Sequence, residues 1–342
     1  VISDKNNGKF IPTDPEQTLR ESFSEIVIKS EFITGVKAIN VTDDGRSWLT
    51  DKQLDNLYDM FVKMPKEEDG GIVEANKAVQ EVLTGEKIIT VDRNELTGEE
   101  SPRVRFIDFA DISNFSGKNY KNRFLAMNQY RVESLGFKES SIFDVVLFVN
   151  GIPMVVIEGK YLSEYYLNRD MDPMDDGLRQ MMRYMNRRNE TEGVLEDEGS
   201  PDVFAYPLMA IVSSGDNIKY GTITSLPKDF SEWKEIYQPN LKNTLEGPGG
   251  NNPRPQEILV QGMLAPAVLL DLLRNYSVFD IDKKNKKARK LMAYYQQYRM
   301  INRLIDTVLD SNPHKEKGRT VWHTQGSGKS LSMAFIIRKF HS

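Results

Sequence analysis

The sequence contains no cysteine and only three histidines, His314, His323 and His341. Disulfide frameworks, cysteine-ligated zinc and thiol catalysis are therefore excluded, and three scattered imidazoles predict no histidine metal cluster. A metal bound by this chain would have to use carboxylates, which are the preferred ligands of hard cations such as Mg²⁺.

Long apolar runs and an excess of positive charge are also absent. No stretch approaches the ~18 apolar residues of a membrane span, and the polar opening of the chain is unlike a signal peptide. We therefore expect a cytoplasmic protein with no membrane partner. Lys and Arg number 45 against 50 Asp and Glu, a formal net charge of −5, so any nucleic-acid binding must depend on local features.

The 342 residues, 39% hydrophobic and 28% charged, are ordinary for a globular protein and long enough for two domains. Hydrophobic periodicity and turn signals predict an α/β fold with a β-rich centre that contains an antiparallel meander. In the first helix, the predicted apolar face is Leu19, Phe23, Ile26, Val27 and Ser30. Helices are predicted over 14–33, 72–83, 172–189 and 256–273, and strands between 103 and 160 and over 203–213 and 218–222.

A basic run occupies residues 282–290. We interpret it as a solvated linker between domains, with phosphate contact as the alternative. Its cationic residues are Lys283, Lys284, Lys286, Lys287, Arg289 and Lys290.

The β-rich centre predicts a hairpin, because Asn150-Gly151 joins two apolar runs. Asp144 stands near the start of the first run, and Glu158 and Lys160 stand at the end of the second. Charges set into strands this apolar are partly buried, and buried charges are paired or metal-bound. One interpretation is a structural ion pair of Lys160 with either acid. The other is a phosphodiester-cleaving site in which the carboxylates hold Mg²⁺ and the lysine positions water or neutralises charge.

The register of this hairpin decides whether the two acids can share a metal. With a two-residue loop and unbroken pairing, Asp144 faces Ile157, and the two acids lie on opposite faces of the sheet. A shared metal therefore requires a one-residue offset, from a three-residue loop with Gly151 in the left-handed region or from a bulge lower in the ladder. We predict that offset.

The next predicted helix carries Gln180 and Tyr184, four residues apart and so on one face. Alone, this is no more than a surface pair. The order Asp144, then Glu158-x-Lys160 at the end of a hairpin, then Gln-x-x-x-Tyr resembles the PD-(D/E)xK nucleases, in particular their RecB-like branch. The resemblance implies a mixed sheet flanked by helices, with Asp144, Glu158 and Lys160 as the catalytic triad, the two acids as Mg²⁺ ligands, and the Gln and Tyr in support.

One position departs from that pattern, since Phe143 precedes Asp144 where the nucleases have proline. In this fold a glutamate on the opening helix sometimes joins the metal ligands. Glu21 and Glu25 are the candidates here, and an exposed helix face is the alternative explanation for both.

A phosphate loop stands near the end of the sequence, at residues 320–330 (TVWHTQGSGKS), followed by an apolar helical run. In such a loop, backbone N–H groups surround phosphate oxygens, Lys329 would reach the β/γ-phosphates of ATP, and the Ser330 hydroxyl would help hold Mg²⁺. His323 occupies the usual first glycine position, a departure that is familiar in helicase-like motors. The remaining predicted phosphate-binding residues are Thr324, Gly326, Ser327 and Gly328.

Upstream of this loop, residues 294–303 (YYQQYRMINR) resemble the adenine-reading Gln element of superfamily 2 helicases. The best register places Gln297 at the adenine. On its own, the segment would be only the start of an amphipathic helix.

A PD-(D/E)xK pattern followed by a helicase Gln element and a phosphate loop resembles the restriction (R) subunit of type I restriction-modification enzymes. Residues 149–153 and 275–280 match that family as well. The resemblance implies an Mg²⁺-dependent DNA endonuclease domain in a protein that translocates duplex DNA with ATP. It implies as partners double-stranded DNA and the methyltransferase (M) and specificity (S) subunits. The implied division is a nuclease domain over 1–281, a basic linker over 282–290 and the beginning of a RecA-like ATPase domain over 291–342.

Only 12 residues follow Ser330, whereas a motor domain needs on the order of 150 residues. We therefore expect the chain to be a fragment that does not hydrolyse ATP by itself. Two other interpretations remain open: a nuclease-fold module that binds DNA or partner subunits without cutting, and an ATP-driven remodeller whose front domain is structural.

Overall fold

A computed structural model describes residues 15–67, 70–93, 95–113, 120–132, 140–161, 163–237, 253–283, 286–310, 320–321 and 328–341, with side chains except at 15–24 and 67. The first part of the chain forms α1 (Pro15–Ile39), α2 (Asp51–Glu67), α3 (Ile72–Thr84), β1 (Ile89–Thr90), β2 (Arg103–Val104), β3 (Phe124–Val132), β4 (Ser141–Val149) and β5 (Ile152–Lys160). The second part forms α4 (Glu164–Leu167), α5 (Pro173–Tyr184), β6 (Met209–Ser214), β7 (Asn217–Gly221), α6 (Pro255–Ile258), α7 (Pro266–Asn275), β8 (Ser277–Ile281), β9 (Ala288–Met292), α8 (Tyr295–Leu309) and α9 (Lys329–His341).

Five strands form the central sheet, in the order β3-β4-β5-β6-β7. The pair β5–β6 is parallel and is connected through α4 and α5, while the other pairs are antiparallel. Both faces of the sheet are covered: Met209 and Ile211 of β6 pack into a large core with α1, α2, α3 and α7, and Ala210 and Val212 pack into a smaller core with α5. The predicted α/β class, with a mixed sheet and an antiparallel meander, is confirmed.

Helix α1 lies directly on the turn of the β4–β5 hairpin. Gly151 has φ 70°, and a Cβ at this position would lie 2.4 Å from the backbone oxygen of Ile28. The buried side chain of Asn150 accepts a hydrogen bond from the Arg123 backbone N–H (2.8 Å) and donates one to the Phe106 backbone oxygen (2.8 Å). The Asn-Gly pair therefore forms the turn and also permits the helix to approach it.

The predicted apolar face of α1 is wrong at two of the three positions whose side chains the structure describes; the third, Val27, is half-buried. Ile26 is 67% exposed and Ser30 is exposed as well; the side chains of Leu19 and Phe23 lie outside the described residues. The residues that are buried also recur at helical spacing, but they lie on a different face of α1 from the predicted one. This face is buried because it packs on the hairpin turn. Its residues are Ile28, Phe32, Val36 and Ile39.

Three other elements differ from the sequence-based prediction. Helix α2 lies in a stretch of the sequence for which no element is predicted. The helix predicted over 256–273 is interrupted by a π turn (Leu259–Met263) and by Pro266, which begins α7, because the residue before a proline avoids the helical region. The strand predicted from residue 203 begins at Met209, after a 3₁₀ turn.

The basic run lies partly within the β8–β9 hairpin. Its last residue, Lys290, is 2% exposed and donates hydrogen bonds to Asn76 Oδ1 (2.8 Å) and to the Pro207 backbone oxygen (3.0 Å). Lys290 is therefore neither solvated nor available to a phosphate. Beyond the hairpin, Ile301 of α8 and Phe335 of α9 are fully buried in the large core.

Among the described residues, no single helix has the length and apolar character needed to cross a membrane. Two consecutive helical segments with a bend between them, Pro255–Met263 and Pro266–Asn275, are together long and apolar enough, by length and composition alone.

Candidate functional site

The predicted offset in the β4–β5 hairpin is present. The loop has two residues, Asn150 and Gly151, both with positive φ (50° and 70°), and a bulge between Leu147 and Phe148 shifts the register. The pairs on the two sides of this bulge are Phe148–Pro153 and Leu147–Val155, followed by Val145–Ile157. One residue beyond the pair Val145–Ile157, the same register sets Asp144 opposite Glu158. The two carboxylates therefore lie on one face of the sheet. The prediction of an offset that brings the acids together is confirmed, through the bulge.

A second irregularity surrounds Asp144 on β4. Phe143 and Val146, which strict alternation would put on opposite faces, both belong to the small core. Across the ladder, Gln129 of β3 has φ 53° and donates from Nε2 to Asp144 Oδ1 (3.1 Å). The other oxygen, Oδ2, accepts from the backbone N–H of Gly159 (2.8 Å). Asp144 is thus held from both neighbouring strands.

Glu158 and Lys160 lie two residues apart on β5 and face α5. Glu158 is 2% exposed, and its Oε1 lies 3.0 Å from Lys160 Nζ. Its other oxygen, Oε2, is buried and has no hydrogen-bond partner within the part of the chain that the structure describes. An unpartnered buried carboxylate oxygen is costly, so this atom needs a partner that the described residues do not supply.

Helix α5 supports the lysine. Asp172 caps the start of the helix, because its side chain accepts a hydrogen bond from the Met174 backbone N–H (2.8 Å). Gln180 Oε1 accepts from Lys160 Nζ, and Gln180 Nε2 donates to the hydroxyl of Tyr184. That hydroxyl donates to the backbone oxygen of Ile142 on β4 (2.7 Å). The structure thus brings together all five residues that the sequence predicted for this site.

The electrostatics of the site are asymmetric. Burial, reinforced by repulsion from Asp144, raises the pKa of Glu158 to about 7, although Lys160 and Arg183 act in the opposite direction. Burial also raises the pKa of Tyr184, so its hydroxyl remains a donor at neutral pH. Two facing carboxylates that repel each other form a pair that a cation would stabilise.

The sequence-based prediction missed Asp176. Its Oδ2 lies 3.6 Å from Lys160 Nζ and accepts a hydrogen bond from the Tyr166 hydroxyl (2.8 Å). A signal was available, because Asp176, Gln180 and Tyr184 follow one another at four-residue intervals and so share a helix face.

The donor set fits a hard divalent cation. Asp144 and Glu158 supply carboxylate oxygens on one face, and Glu158 Oε2 is free to coordinate. Within the described residues, no group of three or more His, Cys, Asp or Glu side chains could hold a metal. A cation here would therefore be held by two carboxylates, in the manner of Mg²⁺, which keeps waters in its coordination shell. Of the two glutamates considered on α1, Glu25 is exposed, and the side chain of Glu21 lies outside the described residues.

The predicted nucleotide-binding residues are only partly described. Gly328, Lys329 and Ser330 stand at the start of α9, whereas Thr324, Gly326 and Ser327 lie outside the described residues. Gln297 is fully buried: its Oε1 accepts from the Tyr294 backbone N–H (2.9 Å), and its Nε2 donates to the Gly328 backbone oxygen (3.2 Å). Its side chain joins the start of α8 to the start of α9.

Comparison with known proteins gives two family matches. The family described as type I restriction enzyme R protein N terminus matches residues 3–228, and the SWI2/SNF2 ATPase family matches residues 296–342. Similar proteins include the putative type I restriction enzyme MjaIXP endonuclease subunit of Methanocaldococcus jannaschii, 26% identical over 95% of this chain and 28% of the relative. The HindI endonuclease subunit of Haemophilus influenzae is 28% identical over 97% of this chain and 28% of the relative.

A third similar protein is the SauMSSORF170P endonuclease subunit of Staphylococcus aureus, 24% identical over 90% of this chain and 29% of the relative. The chain thus spans less than a third of the length of each of these relatives. Because the R protein match covers most of the sequence and includes every residue of the β4–β5–α5 site, the chain belongs to the family of type I restriction enzyme R proteins and represents their N-terminal region.

Proposed function

We propose that this chain carries the Mg²⁺-dependent DNA endonuclease site of a type I restriction enzyme R subunit, with a PD-(D/E)xK fold. The observation that carries the proposal is Glu158 Oε2, a buried carboxylate oxygen without a partner among the described residues, opposite Asp144 and beside Lys160. A structural ion pair would leave this oxygen uncompensated, whereas a cation between the two acids would satisfy it.

In the proposed site, Asp144 and Glu158 hold Mg²⁺. When bound, the cation would stabilise the negative charge that develops on the phosphate during hydrolysis. Lys160, a compact charge 3.0 Å from Glu158 Oε1, orients the attacking water or neutralises the phosphate oxygen. Gln180 and Tyr184 fix the direction of the lysine, through the bonds that run from Nζ to the backbone of β4.

We propose further that the full-length protein binds ATP with Mg²⁺ at the phosphate loop and uses it to translocate duplex DNA. The supporting observations are the SWI2/SNF2 match over residues 296–342 and the glycine-lysine-serine start of α9. Adenine contact by Gln297 would require this side chain to exchange its bond to Gly328. A division into a nuclease domain and the beginning of a motor domain, and assembly with M and S subunits, belong to the same proposal. The basic run 282–290 is not proposed as a linker, because it forms part of the β8–β9 hairpin and Lys290 is buried.

The decisive experiment compares single substitutions in the full-length R subunit, assembled with its partner subunits and supplied with ATP, Mg²⁺ and circular DNA. Removing a group that stabilises transition-state charge costs about 10²–10³-fold in rate. We therefore expect Asp144→Asn and Glu158→Gln to reduce cleavage by about that factor. Asp175→Asn is the matched control, since Asp175 is an exposed carboxylate on the same helix as the supporting residues.

DNA binding and ATP hydrolysis by the same assemblies identify the alternatives. Wild-type cleavage rates in both site variants would refute the nuclease proposal. If the wild-type assembly binds DNA but does not cut it at any Mg²⁺ concentration, the region is a binding module. If Lys160→Ala leaves cleavage intact while ATP hydrolysis proceeds, the N-terminal region is structural.

A further inference from the structure

Lys160 is held more tightly than an ion pair with Glu158 requires. Its side chain is 15% exposed, and Nζ lies near three oxygens, on Glu158, Asp176 and Gln180. An ammonium group has three donors and rotates freely on a four-carbon stem unless its partners fix it. The close contacts with Glu158 and Gln180, together with the ion pair to Asp176 at 3.6 Å, therefore restrict the orientation of the ammonium group.

The stem of the same lysine passes under a glycine of α5. A Cβ on Gly177 would lie 3.2 Å from Lys160 Cγ and 2.5 Å from Val212 Cγ1. Glycine inside a helix costs about 1 kcal/mol relative to alanine, and Gly177 is an interior residue of α5. Here the missing side chain lets the helix approach β6 closely and leaves room for the lysine stem between helix and sheet.

Asp176 supplies the third of the oxygens near the ammonium group, and its contact with Lys160 is an ion pair. Its side chain is 30% exposed, and the Tyr166 hydroxyl, 2.8 Å from Oδ2, fixes that oxygen in turn. The carboxylate lies at ion-pair distance from Lys160 (3.6 Å). Without this negative charge, the ammonium group would lose one of its three contacts and could turn away from the substrate phosphate.

We propose that Asp176 and Gly177 are positioning residues for Lys160: Gly177 admits the stem of the lysine, and Asp176 fixes the direction of its ammonium group. The proposal rests on the proposed nuclease function, because Lys160 is the group that would act on the phosphate. Neither residue touches substrate; both act through the lysine.

The test uses the assembled full-length complex and measures the cleavage rate of bound DNA separately from the dissociation constant of DNA. Loss of a group that orients a functional side chain costs about 10–100-fold. We expect Asp176→Asn to slow cleavage by about that factor with an unchanged dissociation constant and melting temperature. Asp175→Asn, the neighbouring exposed carboxylate, should cleave at the wild-type rate. In a Lys160→Ala background, Asp176→Asn should have no further effect, because residues that act as a unit are non-additive.

Gly177→Ala is tested alone and together with Val212→Ala, which removes the closer of the two contacts. We expect the single variant to slow cleavage, and the double variant to stay slow because the added methyl still meets the lysine stem. Recovery of the wild-type rate in the double variant would overturn the role of Gly177.

Additive losses from Asp176→Asn and Lys160→Ala, or a wild-type rate in Asp176→Asn, would overturn the role of Asp176. If Lys160→Ala itself cleaves normally, the nuclease proposal fails, and that outcome is distinct from the others.

Discussion

The buried lysine of the β8–β9 hairpin makes the stability of the fold depend on pH. Burial lowers the pKa of Lys290 from 10.5 to about 7. Below pH 7, Lys290 is protonated in both the folded and the unfolded chain, and the folded state bears the full cost of burying the charge. Between pH 7 and 10.5, the unfolded lysine keeps a proton that the folded one has released. The free energy of unfolding therefore rises with pH in this window.

The size of the effect follows from the shift in pKa. Each pH unit inside the window contributes about 1.4 kcal/mol, which amounts to about 2 kcal/mol between pH 7 and pH 9 once partial titration near pH 7 is included. Lys290→Met removes this contribution. The variant also leaves Asn76 Oδ1 and the Pro207 backbone oxygen without their donor, a loss of about 1–3 kcal/mol that does not vary with pH in this range.

Urea unfolding at several pH values measures the effect. The difference in unfolding free energy between the wild-type chain and Lys290→Met should change by about 2 kcal/mol from pH 7 to pH 9 in favour of the wild type. Lys283→Met, which removes an exposed lysine of the same basic run, is the control and should follow the wild-type pH dependence. A constant difference between wild type and Lys290→Met, or a change of opposite sign, would refute the reasoning.

Three further predictions concern other buried contacts. The pKa of Glu158 is raised from 4.5 to about 7, so the free energy of unfolding of the metal-free wild type should fall as pH rises from 4.5 through 7. In urea unfolding with EDTA at pH 8, Glu158→Gln should therefore be more stable than the wild type by up to about 3 kcal/mol. Equal stability of the two proteins at pH 8 would contradict this. Gly151→Ala places a methyl 2.4 Å from a backbone oxygen of α1 at φ 70° and should cost at least about 2 kcal/mol, more than Gly45→Ala, where φ is 81° but no atom lies within 4 Å. Asp271 is 3% exposed and accepts from Lys339 Nζ (2.6 Å), so Asp271→Asn should lower the free energy of unfolding by about 3 kcal/mol and speed amide exchange in α9; unchanged exchange would count against a role for this pair in holding the helix.

The site was more predictable from the sequence than the elements around it. An Asn-Gly turn and strict alternation were enough to show that Asp144 and Glu158 could meet only through an offset. The position of the bulge was also readable, since Pro153 has no N–H for the ladder and prolines in central strands mark such irregularities. The positive φ of Gln129 could not be predicted, because nothing in the sequence indicates it.

Other errors have physical causes in tertiary contacts. The inner face of α1 is selected by the hairpin turn beneath it, so periodicity alone found a helix but chose Ile26, which is exposed. Helix α2 was overlooked because its last turn is polar and contains Pro65. Asp176 was missed because its role depends on a lysine from another element.

The hydrogen-bonded path from Lys160 through Gln180 and Tyr184 to the backbone of β4 closes a ring. Strand β4 carries Asp144 and strand β5 carries Glu158, so one helix clamps both strands that bear the acids. The distance between the carboxylates is thereby fixed by α5 as well as by the hairpin. Mg²⁺ demands oxygens at about 2.0–2.1 Å in a strict geometry, whereas Ca²⁺ accepts about 2.3–2.6 Å in a flexible one. A rigid ring favours the smaller ion, and we expect loosening it, as in Tyr184→Phe, to weaken the discrimination between the two ions.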